Sequence, residues 1–326
     1  MPSKPAGKTR APRAETAPAD TAPVGTRAAG TAPAGTAPAG TAQRLAVRKT
    51  YKLYIGGAFP RSESGRSYPV TDPAGRLLAH AAQASRKDLR DAVTAARKAF
   101  AGWSGATAYN RGQVLYRIAE MLEGRREQFL AEIMAAEGAG PAEAAAQVDA
   151  AIDRWVWYAG WSDKYAQVVG GANPVAGPYF NFSLPEPSGV VAILAPQESS
   201  LLGFVSVVAP ALTTGNTVVV VASADRPLPA VSLTEALATS DLPAGVLNLL
   251  TGSPAELAPW LASHRDVNCL DLTGIAPADR VPLAQAAAGN VKRVLAPAAL
   301  DLTAEPGMSR LAAFVETKTV WHPLGV

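Results

Sequence analysis

Three kinds of side chain in this sequence could do covalent or acid–base chemistry: a single thiol, a carboxylate placed at an apparent strand-to-helix turn, and three imidazoles. Cys269 is the only cysteine, and a thiolate is the natural nucleophile for a carbonyl carbon. It lies inside Val267-Asn268-Cys269-Leu270-Asp271-Leu272. That run reads as a buried strand, where desolvation raises a thiol pKa and the fold hides it from substrate. Glu198 follows the apolar run Val190 to Ala195 in the tetrad Gln197-Glu198-Ser199-Ser200. An ionised carboxylate there accepts hydrogen bonds and donates none, so it suits a base and would repel a developing oxyanion. His80, His264 and His322 are far apart, with no Cys or carboxylate at ligand spacing, so no metal site is expected.

These residues need a scaffold, and the apolar pattern supplies one. Val190 to Leu194 reads as a strand, the segment ending near Gly215-Asn216 as a helix, and Thr217 to Val221 as a second strand. Leu228 to Thr239 then reads as a helix and Gly245 to Leu250 as a strand. Pro254 to Ser263 reads as a helix, with strands around 267–274 and 290–295. Four or five such strands joined by crossover helices predict an α/β fold with a doubly wound, Rossmann-like parallel sheet. Upstream, Tyr51 to Phe59 predicts a strand and a hairpin corner at Gly56-Gly57, with a short extended piece at Pro69 to Pro73. Ser85 should cap a helix running to Phe100. A longer helix is expected from Arg111 to Ala136, with Leu115, Ile118, Leu122, Phe129 and Ile133 in phase, and a third from Ala142 to Gln167. The third carries Trp155, Trp157, Tyr158, Trp161 and Tyr165, which at helical spacing read as packing rather than a ligand platform. Tyr179 to Leu184 alternates strongly, as a projecting strand would.

Composition narrows the class. Residues 1–47 are dominated by Ala, Pro, Gly and Thr with a degenerate five-residue repeat, and are expected to be a disordered tail. The first fifty residues hold eight Lys/Arg against Glu15 and Asp20, a net of +6 where the whole chain has +3. The basicity is scattered and lacks aromatic companions, so nucleic-acid binding is not expected. Apolar runs are broken by Pro210, Gly215 and Asn216, so no membrane span is expected. The absence of an apolar leader and the lone cysteine point to a cytoplasmic location.

The string GVVAILAPQESSLLGFVSVVAPALTTGNTVVVV resembles the aldehyde dehydrogenase superfamily, where GVV, a strand, PWNFP and a helix lead to PAL-x-x-GNTVV. Leu242-Pro243-Ala244-Gly245, Leu272-Thr273-Gly274 and Lys292-Arg293-Val294 continue the likeness. Ser309 to Trp321 is similar to the family's closing oligomerisation strand, and Tyr179 to Leu184 to one arm of its intersubunit ribbon. The resemblance implies three segments: the tail 1–47, a cofactor-type domain over 48–300 with its ribbon arm at 176–188, and a linker with oligomerisation strand over 301–326. It also implies ribbon contacts by Phe180, Phe182, Leu184, Phe314, Val315, Val320 and Trp321.

The same resemblance locates what is missing. The family's oxyanion-stabilising Asn falls on Glu198 and its general-base Glu on Pro297, and the domain bearing its catalytic Cys has no counterpart between Asp301 and Ser309. Its ribose-holding Lys and Glu fall on Val221 and Ala224, and its pyrophosphate-side Ser on Ile275. Ala195, Pro196, Gly252, Thr273 and Gly274 would be the remnants of a cofactor site that holds NAD(P) weakly or not at all. The expectation is therefore a catalytically inactive homologue that assembles with a full-length aldehyde dehydrogenase or with itself. The alternatives are an oxidoreductase working through Glu198 and a nucleotide-binding sensor.

Overall fold

The central strands partition their side chains as a two-faced sheet requires. In β6 (Val190–Leu194), Val191 and Ile193 enter one core while Val190, Ala192 and Leu194 enter another. The computed structural model describes residues 47–325 apart from Ala298. The tail expected at 1–47 therefore lies almost wholly outside the described residues. Described residues begin with β1 (Thr50–Tyr51), β2 (Ser67–Thr71) and β3 (Leu77–Ala82), which form a small sheet of order β1-β3-β2. Helices α1 (Arg86–Gly105), α2 (Ala108–Glu123), α3 (Arg126–Glu137), α4 (Pro141–Trp161) and α5 (Tyr165–Val169) follow. Strands β4 (Gly171–Asn173) and β5 (Tyr179–Pro187) lead into β6.

The α/β core continues with α6 (Leu202–Thr213), β7 (Thr217–Val221), α7 (Leu228–Leu237), β8 (Leu247–Leu250) and α8 (Pro254–Ser263). It ends with β9 (Cys269–Asp271), α9 (Pro277–Ala288) and β10 (Arg293–Leu295). The last elements are α10 (Ser309–Ala313) and β11 (Val315–Pro323). Among the described residues β6 to β10 pair in parallel in the order β10-β9-β6-β7-β8. The order reverses at β6, the doubly wound arrangement that the strand pattern predicts. Helices α1, α8 and α9 cover the face of Val190, Ala192, Val219, Val221 and Leu270; α2, α3, α4, α6 and α7 cover the other.

Local chemistry explains most boundaries. Ser85 accepts from the Lys87 and Asp88 amides, and Asp88 reaches back to the Ser85 amide at 2.8 Å. This capping box contributes about 1 kcal/mol. Gly56 and Gly57 take φ of 59° and 82° to close the expected corner between Ile55 and Ala58. The expected strand before it is only β1 plus a bridge from Tyr54 to Leu249.

Three expectations are revised. The helix expected over 111–136 is two, α2 and α3, because Arg125 leaves helical geometry at ψ 17° while Leu115, Ile118, Leu122, Phe129 and Ile133 stay buried on both sides of the corner. The helix expected over 142–167 ends at Trp161, where the Ser162 hydroxyl bonds back to the Tyr158 carbonyl at 3.4 Å. The segment 309–321, expected as strand throughout, opens with α10. Trp155, Tyr158 and Tyr165 of the aromatic cluster are buried in the core.

Candidate functional site

The polar tetrad after β6 sits at the switch point of the sheet, where an α/β fold ordinarily binds its ligand. Here it is spent on structure. The Gln197 amide donates to the Ala195 carbonyl at 2.7 Å and accepts from the Ala224 amide at 2.9 Å, tying the ends of β6 and β7 together. Ser199 accepts from the Gly203 amide at 2.9 Å, satisfying one N–H in the first turn of α6. The Ser200 amide and hydroxyl both donate to Glu137 at the end of α3, at 2.7 and 2.5 Å. A protein carboxylate therefore occupies the positive end of α6, where an anion is favoured. Glu198 is the exposed member, and only its backbone carbonyl is engaged, by Arg226. Ala195 and Pro196 are buried beneath this loop.

Beside it a cleft of about 510 Å³ opens between α8 and α9, with Gln197 and Gly274 at its inner end. Ala258, Pro259, Pro282 and Leu283 give it apolar walls suited to a flat, uncharged group. A dinucleotide also needs a phosphate seat, and the start of α9 offers a poor one. Its first residue, Pro277, has no N–H, and Asp279 puts a carboxylate into the first turn. Ile275, almost fully buried, brings no hydroxyl. The two retained glycines have backbone reasons. A Cβ on Gly274 would stand 1.8 Å from the Ala195 carbonyl oxygen, and Gly252 takes φ 132° against Ala84. The residues present thus accept a planar apolar group and do not fit a pyrophosphate.

Beyond β9 and β10 lies a polar cluster that sequence spacing does not reveal. Asp271, fully buried at the end of β9, is paired with Arg310 from α10 and accepts from the Thr273 amide at 2.9 Å. Burial pushes its carboxyl upward, and Arg310 and Thr273 pull it back. Thr273 is thereby committed to this ion pair. Arg154 of α4, 7% exposed, donates to the Ser206 hydroxyl and to the carbonyls of Leu302 and Ala304, the latter two at 2.7 and 3.1 Å. Pro297 offers only its carbonyl, which Arg280 binds at 2.6 Å. Cys269 is 1% exposed, and burial pushes its thiol up to about 11.

The ribbon forms within the chain. β11 pairs antiparallel with β5 through nine residue pairs, from Val315 with Pro187 to Pro323 with Tyr179, and β4 pairs with the other side of β5. Partners in this register share a face, so Phe180, Phe182, Leu184 and Val320 lie together, while Val315 and Trp321 lie on the opposite face with Tyr179. The Tyr179 and Trp321 rings meet edge-on at 5.7 Å. Phe180, Leu184 and Trp321 are exposed; Phe182, Val315 and Val320 are half-buried. Phe314 does not lie on the ribbon surface at all: it is fully buried in the core just before β11.

The sequence profile of the aldehyde dehydrogenase family matches residues 59–298. The chain belongs to that family. It is 36% identical over 248 residues to aldehyde dehydrogenase family 2 member B4, mitochondrial, of Arabidopsis thaliana, covering 74% of this chain and 45% of that protein. To human retinal dehydrogenase 2 it is 34% identical over 252 residues, 76% of this chain and 48% of the other. The crystal structure of HpcC from Thermus thermophilus superposes with a TM-score of 0.72 at 32% identity, covering 76% of this chain and 47% of that one. Betaine aldehyde dehydrogenase from Staphylococcus aureus, solved with NAD+, gives 0.71 at 26% identity over 75% and 49%.

This aldehyde dehydrogenase family chain thus spans about half the length of the relatives it matches. The matched half is the α/β sheet with its preceding helices; Arg310 and the ribbon strand β11 lie outside the match. Arg154, Asp271 and Arg310 are the residues that sequence reading missed. The one available signal was a lone Asp inside an otherwise apolar strand, which demands a buried cation.

Proposed function

We propose that this chain is a catalytically inactive member of the aldehyde dehydrogenase family that acts as a structural or regulatory subunit, assembling through its ribbon with a full-length, NAD(P)-dependent aldehyde dehydrogenase. The observation that carries the reading is the ribbon. Nine consecutive pairs are kept between β5 and β11, with exposed aromatic side chains and, among the described residues, an unpaired outer edge on β11. Such an edge is a ready template for pairing with another chain. The site residues support the inactive half of the proposal. Glu198 and Pro297 stand where the family resemblance puts the oxyanion donor and the base, and the only thiol is buried.

NAD(P) is held weakly or not at all, for want of a phosphate seat. The test is co-expression of the tagged chain with a full-length aldehyde dehydrogenase from the same cytoplasm, followed by native mass measurement. A complex of fixed stoichiometry is expected, lost when Phe180 and Leu184 are both changed to Asp. A chain that stays monomeric beside every active homologue overturns the proposal.

The apolar cleft between α8 and α9 favours a second reading, a sensor of a flat ligand. Saturable thermal stabilisation by adenosine, with no complex formed, would replace the first reading with this one.

A further inference from the structure

Arg154 is charged, buried, and hydrogen-bonded only to neutral oxygens. A guanidinium removed from water without a carboxylate or other anion is costly, and such sites persist where something supplies the missing charge. Beside it lies a cavity of about 390 Å³ between α4, α6 and the segment that connects β10 to α10. Arg310 lines the same cavity, and its Nε is buried with no partner. Tyr158 contributes a phenol ring to the wall. Arg310 is paired directly with Asp271 behind it, whereas Arg154 makes no direct ion pair and feels Asp301 and Glu305 only across the cavity mouth.

The remaining carboxylates, Asp301 and Glu305, sit on the exposed rim. Asp301 is further occupied in its own turn, accepting from the Thr303 amide at 2.8 Å and the Thr303 hydroxyl at 2.7 Å. Leu295, Leu300 and Pro306 give the wall an apolar stretch.

We propose that this cavity binds a small monocarboxylate with a short apolar tail, its carboxylate between Arg154 and Arg310 and its tail against Leu295, Leu300 and Pro306. A planar guanidinium fork matches a carboxylate in shape and charge. A single negative charge suits the one guanidinium that lacks a direct ion pair, whereas a dianion would be repelled by the rim carboxylates. The apolar wall favours a tail over an inorganic ion. The assignment does not depend on the subunit reading, since every residue it uses belongs to this chain.

The test is titration of the full chain with carboxyl-labelled butyrate, read by NMR and by calorimetry, with 1-butanol and sulfate as comparators. Saturable butyrate binding with a Kd on the order of 1 mM is expected, with none for butanol. Arg154→Met should weaken it about tenfold or more, the cost of a lost charged hydrogen bond. Leu300→Trp adds bulk at a partly buried wall position without removing a buried charge, and it should abolish binding even if Arg154→Met fails to fold. Butyrate that never saturates, equal affinity in a folded Arg154→Met chain, unchanged binding in Leu300→Trp, or sulfate binding in place of butyrate would each overturn the proposal.

Discussion

Glu132 is a carboxylate held where a neutral amide would serve better. One oxygen accepts from Gln128 at 2.9 Å and Ser232 at 2.8 Å, but the other is buried without a partner, and burial raises the pKa. A carboxyl whose folded pKa is raised destabilises the fold once ionised, so stability falls as pH climbs from the unfolded value through the folded one. Glu132→Gln should therefore raise the thermal midpoint at pH 7, and the difference should vanish below about pH 4. Differential scanning calorimetry across that range checks it. At Cys269 the expectation is inertness. With the thiol pushed up to about 11 inside β9, Ellman's reagent at pH 8 should modify it only after denaturation. That burial was readable from the apolar run around Cys269. The partners of Asp271 were not, because Arg310 meets it only once α10 has folded across the end of the sheet. Glu198 shows the complementary limit: its residue type invited chemistry, yet its neighbours Gln197, Ser199 and Ser200 turn out to hold the loop and the first turn of α6.

Asn216 joins three elements. Its carbonyl accepts from the Gly189 amide at 2.9 Å ahead of β6, and its amide donates to the Thr214 hydroxyl at 2.8 Å after α6 and to the Phe314 carbonyl at 2.9 Å before β11. Asn216→Ala would strand buried backbone groups at both strand junctions, each worth about 1–3 kcal/mol, so a loss of about 3 kcal/mol is expected in urea unfolding. On the ribbon the balance differs. Phe180 and Leu184 are 48% and 43% exposed, so changing both to Asp should leave the thermal midpoint within a few degrees while abolishing assembly in sedimentation experiments. The contrast follows from what each side chain touches, and it makes the two variants a matched pair. Elements of this kind were legible where periodicity and chemistry agreed, as at the Ser85 cap and the β6 to β10 strands. They were not legible where a corner preserved the phase of the apolar stripe. Leu122 and Phe129 stay in register across the break between α2 and α3, so the pattern could not report it.

The described residues from 47 onward form one compact unit, although the family match ends at 298. Its sheet keeps a switch point, but the seat for phosphate carries Pro277 and Asp279. With a Kd above about 1 mM, NAD+ at about 1 mM adds less than about 0.4 kcal/mol, so thermal stabilisation should be at the edge of detection. A clear shift would restore a cofactor role. Sequence patterns reveal the layers of this molecule because burial on two faces leaves a mark in every strand. They could not reveal the cavity beside Arg154, which exists only because the chain from 299 to 309 lies against α4 and α6. The pairing of β5 with β11 also bears on how the protein is made. Residue 179 must wait for residue 323, so every intermediate on the ribosome carries β5 with one side bare and Asn216 short of its Phe314 acceptor. Contacts so distant in sequence close late. Until β11 has emerged, that side of β5 is therefore open to pairing with the wrong partner.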